Sequence, residues 1–458
     1  MDVLSGGFIR RLFGAKWFPR LFQWIALLVF GLIIWGAWGA NTHDLAFAKI
    51  LRNTNLSCLF VWSYWWPAML LAVLFGRVWC MVCPLELVAA LGNKTGLNRK
   101  VPSMLKSRWF ITIAYGLILI AGMYCSAIHR VPFRMAVYLL LLFTMAVLAG
   151  LLFEKRAFCS YLCPISHLLR LYSCCAPLEW RTKVSSTCNA CREKYQAAGQ
   201  PIPCTCPSAQ SPAALTDNRS CLLCTQCFKN CPEDNIRLST RAPFKDFFQN
   251  IKLSTAELGF IVLVSAFVVY DIVPEWKVTK QLLMWLPDQI VNLLGLSGAV
   301  ANYTEALVLF VGLPVLFFLM VVGIAKVFSK ERAITLANSF GLLLLPTIAC
   351  THMVKGLFKA VSRVPYISMA ISDPNGVQTA TEIYENTAMV DKSALAVLEP
   401  MVNVLWVIFA MGALWATVLI LKKSAAFKPY ALGTKSILFC GAFAYWSLLA
   451  LAIIMWRF

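Results

Sequence analysis

Charge is what this chain has least of. Asp, Glu, Lys and Arg make up 14% of its 458 residues, against about 25% in an ordinary soluble protein. Acids are the scarcer sign, 21 against 41 basic residues, and there are four histidines. With 60% hydrophobic residues and a mean hydropathy of +0.70, a soluble globular protein is excluded. Motifs are missing too. No Walker loop, HExxH or Gly-rich dinucleotide fingerprint occurs, which removes the signatures of nucleotide-driven and zinc-hydrolase chemistry. No Cys-x-x-Cys is followed by His, so no c-type haem is expected. The net charge of +20 does not point to nucleic acid. No basic run interleaved with aromatics lies in a soluble stretch, and Lys and Arg flank apolar segments instead.

Those segments recur at about 20 residues, the length that crosses the hydrocarbon core. Nine spans are expected, near 21–40, 57–76, 109–127, 135–153, 256–273, 304–325, 333–353, 401–421 and 436–456. The fold class is a polytopic α-helical membrane protein. The first run is too long for a signal-peptide core and lacks a convincing cleavage site. The positive-inside rule sets the orientation. Arg10, Arg11, Lys16 and Arg20 put the N-terminus inside, and the loop 154–253 carries thirteen basic residues and seven acids. The loop 77–108, with six basic residues and one acid, is also inside. Lys355, Lys359 and Arg363, in an outside segment 354–400, count against this topology. The expected divisions are a basic N-terminus 1–20, a four-helix core 21–170, a small cytoplasmic domain 171–250 and a five-helix region 251–458.

Cysteine is abundant. Twelve of the 18 cysteines fall between Cys159 and Cys231, in the loop expected to face the reducing cytoplasm, where Cys clusters bind metal rather than form disulfides. The run "CLLCTQCFKNCP" (221–232) has the spacing by which bacterial ferredoxins hold cubane clusters. Cys221, Cys224 and Cys227 can wrap one cubane, and Cys231, before Pro232, reaches a second. A Cys₄ zinc site is the alternative, though it usually shows two separated pairs. The partner motif is "CNACREKYQAAGQPIPCTCP" (188–207). Crossing over predicts Cys221, Cys224, Cys227 and Cys206 on one cluster. Cys188, Cys191, Cys204 and Cys231 would hold the other, with Cys174 or Cys175 as a substitute ligand.

An internal repeat stands apart from these motifs. "LFGRVWCMVCPLEL" (74–87) and "FEKRAFCSYLCPISH" (153–167) each end an apolar span with a basic residue, an aromatic and a Cys-Pro pair. A helical hairpin used twice brings Cys80, Cys83, Cys159 and Cys163 to one face, as a third metal centre or a redox-active thiol set. Small buried cysteines also ease helix packing, and that is the reading for Cys58, Cys125, Cys350 and Cys440. Of the histidines, His43, His129, His167 and His352, a b-type haem would need His129 and His352 on facing helices. An interfacial role is simpler, as it is for His352 and Lys355, whose other reading is quinone proton chemistry.

On these motifs the chain resembles the membrane polyferredoxins of the NapH, NosR and CcoG types, over about residues 20 to 240. The resemblance implies a prokaryotic inner-membrane protein with two [4Fe–4S] clusters in an inserted two-cluster ferredoxin-like domain. It matches Cys80, Cys83, Cys159 and Cys163 to the family's Cys-Pro pairs and the eight cysteines from Cys188 to Cys231 to its clusters. The first pair departs from the family's Cys-x3-Cys-Pro, and the five spans after residue 255 have no counterpart in the short NapH type. No flavin-attachment sequence of the NosR type is present, so covalent FMN is not expected. The leading expectation is an electron carrier between the quinone pool, or another membrane carrier, and a redox partner protein in the lipid bilayer, akin to a quinol dehydrogenase. A copper reductase or metallocentre assembly factor, and a redox sensor, are the alternatives. No nucleic-acid partner is expected.

Overall fold

The computed structural model describes residues 2–198, 206, 211–249 and 251–457. Among them, eight helices are long and apolar enough to cross a membrane by length and composition: Arg20–Ala37, Leu56–Phe75, Pro132–Leu152, Thr255–Glu275, Gly298–Val327, Ala333–Ser362, Leu395–Lys423 and Leu432–Arg457. The segment expected at 109–127 is a shorter apolar helix, Trp109–Cys125. Its second half, Ile118–Cys125, is wound as a π-helix.

The chain forms two compact units. One comprises Ile33–Leu70, Thr112–Tyr138 and Phe247–Phe458. Its centre is Ala333–Ser362, whose residues from Phe340 to Cys350 are all buried. A helix apolar all round belongs in the middle of a bundle, and it packs against Thr255–Ile272, Leu313–Val327, Leu395–Lys423 and Leu432–Arg457. It is longer than the expected span. Lys355 and Lys359 therefore lie within it, not in an outside loop. Lys355 is buried and pairs with Glu275, and Lys359 pairs with Asp271 at 2.6 Å.

The other unit comprises Met1–Leu32, Leu71–Ile111 and Leu139–Asp246. Here Pro84–Thr95 meets the end of Pro132–Leu152 at backbone contact. A methyl at Gly150 would overlap the Ala89 carbonyl, and one at Gly92 would sit 3.1 Å from Gly150. Small residues permit this approach, and Asn93 seals it by donating to the carbonyls of Gly150 and Phe153 at 2.6 and 2.7 Å. The segment after residue 171 forms an antiparallel ribbon of β1 (Leu178–Thr182) and β2 (Ile236–Thr240), with Trp180 opposite Leu238. The cysteine motifs lie between these strands. The N-terminal residues are more than a charge signal. Leu4 is buried against Trp180, Ile236 and Leu238, and the Phe13 ring packs tilted against Trp180.

Candidate metal centres

The repeated Cys-Pro turns are built alike. Cys83 is the N-cap of Pro84–Thr95 and Cys163 that of Pro164–Tyr172. Proline takes the first helical position in each, where its missing N–H costs nothing. The thiol of Cys83 feels the backbone N–H groups of Leu85 and Glu86, and that of Cys163 the equivalent groups of Ile165 and Ser166. The Ser166 N–H donates to Cys163 Sγ at 3.4 Å. Helix N-termini favour thiolate.

The unequal spacing has a structural answer. Cys80 lies on an α-turn, Val78–Val82, whereas Phe158–Leu162 is π-helical. A π-turn holds one residue more than an α-turn, so Cys-x3-Cys covers in one wider turn what Cys-x2-Cys covers in the narrower one. The four thiols come within electrostatic reach of one another. Burial, the charges of Cys163 and Cys80 together raise Cys83. Burial and the charge of Cys159 push Cys163 up to about 12, against the pull of the Ser166 N–H. Cys159 is raised by burial, then by Glu86 and Cys83.

A buried polar chain supports this set. Gln23, 1% exposed, donates to the Met81 carbonyl at 2.9 Å and to Glu86. Glu86, equally buried, pairs with Arg156 at 2.8 Å. Arg156 acts electrostatically on Cys159 and on Cys224, and Cys206 is also within its range. Arg77 is buried and donates to Cys80 Sγ at 3.7 Å, to the Ser166 carbonyl at 3.2 Å and to the Arg219 carbonyl at 2.8 Å. The sequence marked Arg77 and Arg156 only as the basic residues of the repeat.

In the loop 221–231, Leu223 and Thr225 adopt left-handed backbone conformations, φ +54° and +60°. Neither is glycine, so each costs of order 1–3 kcal/mol. The gain is a backbone nest of the kind found at Fe–S sites. The N–H of Leu223 bonds the Cys221 thiol, and that of Gln226 the Cys224 thiol. Trp180 Nε1 donates to Cys227 Sγ at 3.0 Å. Cys206 acts on Cys221, Cys224 and Cys227, and burial pushes Cys221 up to about 12. Cys231 instead acts on Cys188, alongside Cys191. The Asn235 N–H donates to Cys231 Sγ at 3.3 Å.

Cys204 lies outside the described residues. Cys174 and Cys175 are buried, and the strongest charges on Cys174 come from Asp246, Arg219, Asp217 and Arg241, not from a cysteine. Cys58 and Cys350 are buried, Cys125 is half-buried and Cys440 is exposed. His352 packs between Trp66 and Phe267, and His129 against Trp62. Among the described residues, no three His, Cys, Asp or Glu side chains close around a single metal ion.

A family model described as a 4Fe-4S binding domain matches residues 60–102 and 136–173, which carry the two Cys-Pro turns. The chain is 28% identical over 271 residues to Protein NirI of Paracoccus denitrificans (strain Pd 1222). That alignment takes in 50% of this chain and 38% of the relative, so the chain spans well under half of that protein's length. No solved structure matches. The matched 4Fe–4S segments carry the Cys-Pro turns of a helical chain with, among the described residues, eight membrane-length apolar helices, and the chain is similar to membrane proteins of the 4Fe–4S ferredoxin type.

Proposed function

We propose that the chain is an integral membrane electron carrier with three [4Fe–4S] centres. Cys206, Cys221, Cys224 and Cys227 hold one, and Cys188, Cys191, Cys231 and Cys204 hold another. Cys80, Cys83, Cys159 and Cys163 hold the third at the membrane edge. The observation that carries this reading is the Arg156–Glu86 ion pair, which acts on Cys159 and Cys224 alike and so links the membrane-edge thiols to the ferredoxin-type loop. The donor chemistry fits. Cys80 and Cys163 are buried, and backbone N–H groups bond the thiols of Cys83, Cys163, Cys221 and Cys224.

When bound, the clusters supply one-electron transfer. The protein's part is to fix the thiols, exclude water and place donors at the sulfurs. Cluster loading releases protons, because burial favours the neutral thiol at Cys83, Cys159, Cys163, Cys221, Cys224 and Cys227 and the ligand form is thiolate. The loop 154–253 faces the cytoplasm in this reading, on the strength of its thirteen basic residues and the positive-inside rule. Electrons pass between the quinone pool and a redox partner protein.

The purified protein should contain about twelve irons with matching acid-labile sulfide, four per cubane. Cys80→Ser should leave about eight. A quinol added to the oxidised protein should bleach its brown absorption. Stoichiometric zinc with no cubane signal in the reduced EPR spectrum would end the iron–sulfur reading. Failure of the quinol alone would redirect the search to another donor.

Trp180→Phe tests the sulfur contact. It keeps a ring in the core and removes the donor to Cys227. One net hydrogen bond is worth about 1 kcal/mol, so the midpoint potential of that cluster should fall by roughly 40 mV for one electron. Potentiometric EPR titration measures it. An unchanged potential would mean the indole only packs.

A further inference from the structure

Beside the membrane-edge cysteines lies a cavity with about 30 Å³ open to the centre of a water-sized sphere. One water needs only about 10–15 Å³, so a larger polar guest fits. Arg77, Arg108, Arg170 and His167 line it together with Cys159, and among the described residues no Asp or Glu does. Arg77 is 4% exposed, and its Nε has no hydrogen-bond partner. Its remaining nitrogens meet two carbonyls, the Ser166 hydroxyl and Cys80 Sγ. A buried donor left without a partner is costly. Arg170 donates to Ser220 Oγ at 3.1 Å. Arg170 and Arg219 both act on Asp217, which Arg219 meets at 2.9 Å. Arg108 enters the wall with φ +65°, a left-handed conformation, directly before the apolar helix Trp109–Cys125.

We propose that this cavity binds one oxyanion of the phosphate class. The guanidinium group suits phosphate, and three arginines line a half-enclosed space with, among the described residues, no acid in its wall. The anion adds negative charge to a wall that holds three arginines. Its source is either free inorganic phosphate or the phosphate of an anionic lipid headgroup, since Arg108 stands at the start of an apolar helix.

The test uses the full-length, iron-loaded protein in detergent. Calorimetric titration with inorganic phosphate at constant ionic strength should show one saturable site, displaced by sulfate and not by chloride. Arg108→Gln and Arg170→Gln should each weaken it about tenfold or more, the loss of one charge-assisted hydrogen bond. Arg237→Gln, on an exposed position of β2, should leave it unchanged. If lipid is the source, the wild-type protein should instead retain about one anionic phospholipid per chain, and the two cavity variants should lose it. Iron content and elution volume check that the variants fold. If one does not, the wild-type protein decides alone: neither saturable phosphate nor a stoichiometric phospholipid refutes the site. If Arg108→Gln shifts a redox potential while the wild-type protein binds no oxyanion, the arginines serve only the neighbouring cysteines and the proposal fails.

Discussion

Replacing Cys231 with Ala is expected to remove the cluster of Cys188 and Cys191 and to spare that of Cys221, Cys224 and Cys227. Replacing Cys206 should do the reverse. Each variant should lose about four irons. The reason is reach. The Cys-x2-Cys-x2-Cys loop, with its left-handed turns at Leu223 and Thr225, covers three corners of its own site. In a two-cluster ferredoxin fold the cysteine before proline serves the distant cluster. The electrostatic neighbourhoods divide the same way. Cys206 acts on all three loop thiols, whereas Cys231 acts on Cys188. Mössbauer or EPR spectra of the two single variants decide the matter. If Cys231→Ala and Cys224→Ala abolish the same signal and leave the other intact, the run is a self-contained single-cluster loop. The segment 188–207 then needs another role, with a zinc knuckle the first to test.

Much of this arrangement is legible in the sequence because its signals are local. Apolar runs of membrane length announce helices whatever surrounds them, and the Cys-Pro repeat shows that one hairpin is used twice. What stays hidden depends on winding or on partners distant in the chain. Nothing in "FCSYLCP" reveals that its extra residue is absorbed by a π-turn, which makes Cys159 and Cys163 equivalent to Cys80 and Cys83. Arg77 looks like one more basic residue at a span's end. Its contacts with Cys80, Ser166 and Arg219 join residues up to 142 positions apart. Leu4 and Phe13, in a segment read only for its charge, pack on Trp180, the residue that donates to Cys227.

The same limit explains Lys355 and Lys359, which a topology count takes for loop charges opposed to the assigned orientation. Glu275 and Asp271 meet them from another helix, so they are inward-facing partners within a span, where ionisable side chains pair with one another. Lys359 holds both carboxylate oxygens of Asp271, at 2.6 and 2.8 Å. Lys355 lies over the Trp456 ring at 4.2 Å. Lys359→Ala is therefore expected to destabilise the protein by about 3–5 kcal/mol, because it strands a carboxylate where water is scarce. Asp271→Ala should cost a similar amount by stranding the ammonium. The double variant Asp271→Asn, Lys359→Met removes both charges and keeps the volume, and it should recover most of the loss. Unfolding of the purified protein followed by helical circular dichroism in denaturant measures all three. If the double variant is as unstable as either single one, the residues act separately. If Lys359→Ala changes stability by less than about 0.5 kcal/mol, the range of ordinary surface substitutions, water reaches this pair and the helix end lines an aqueous cavity.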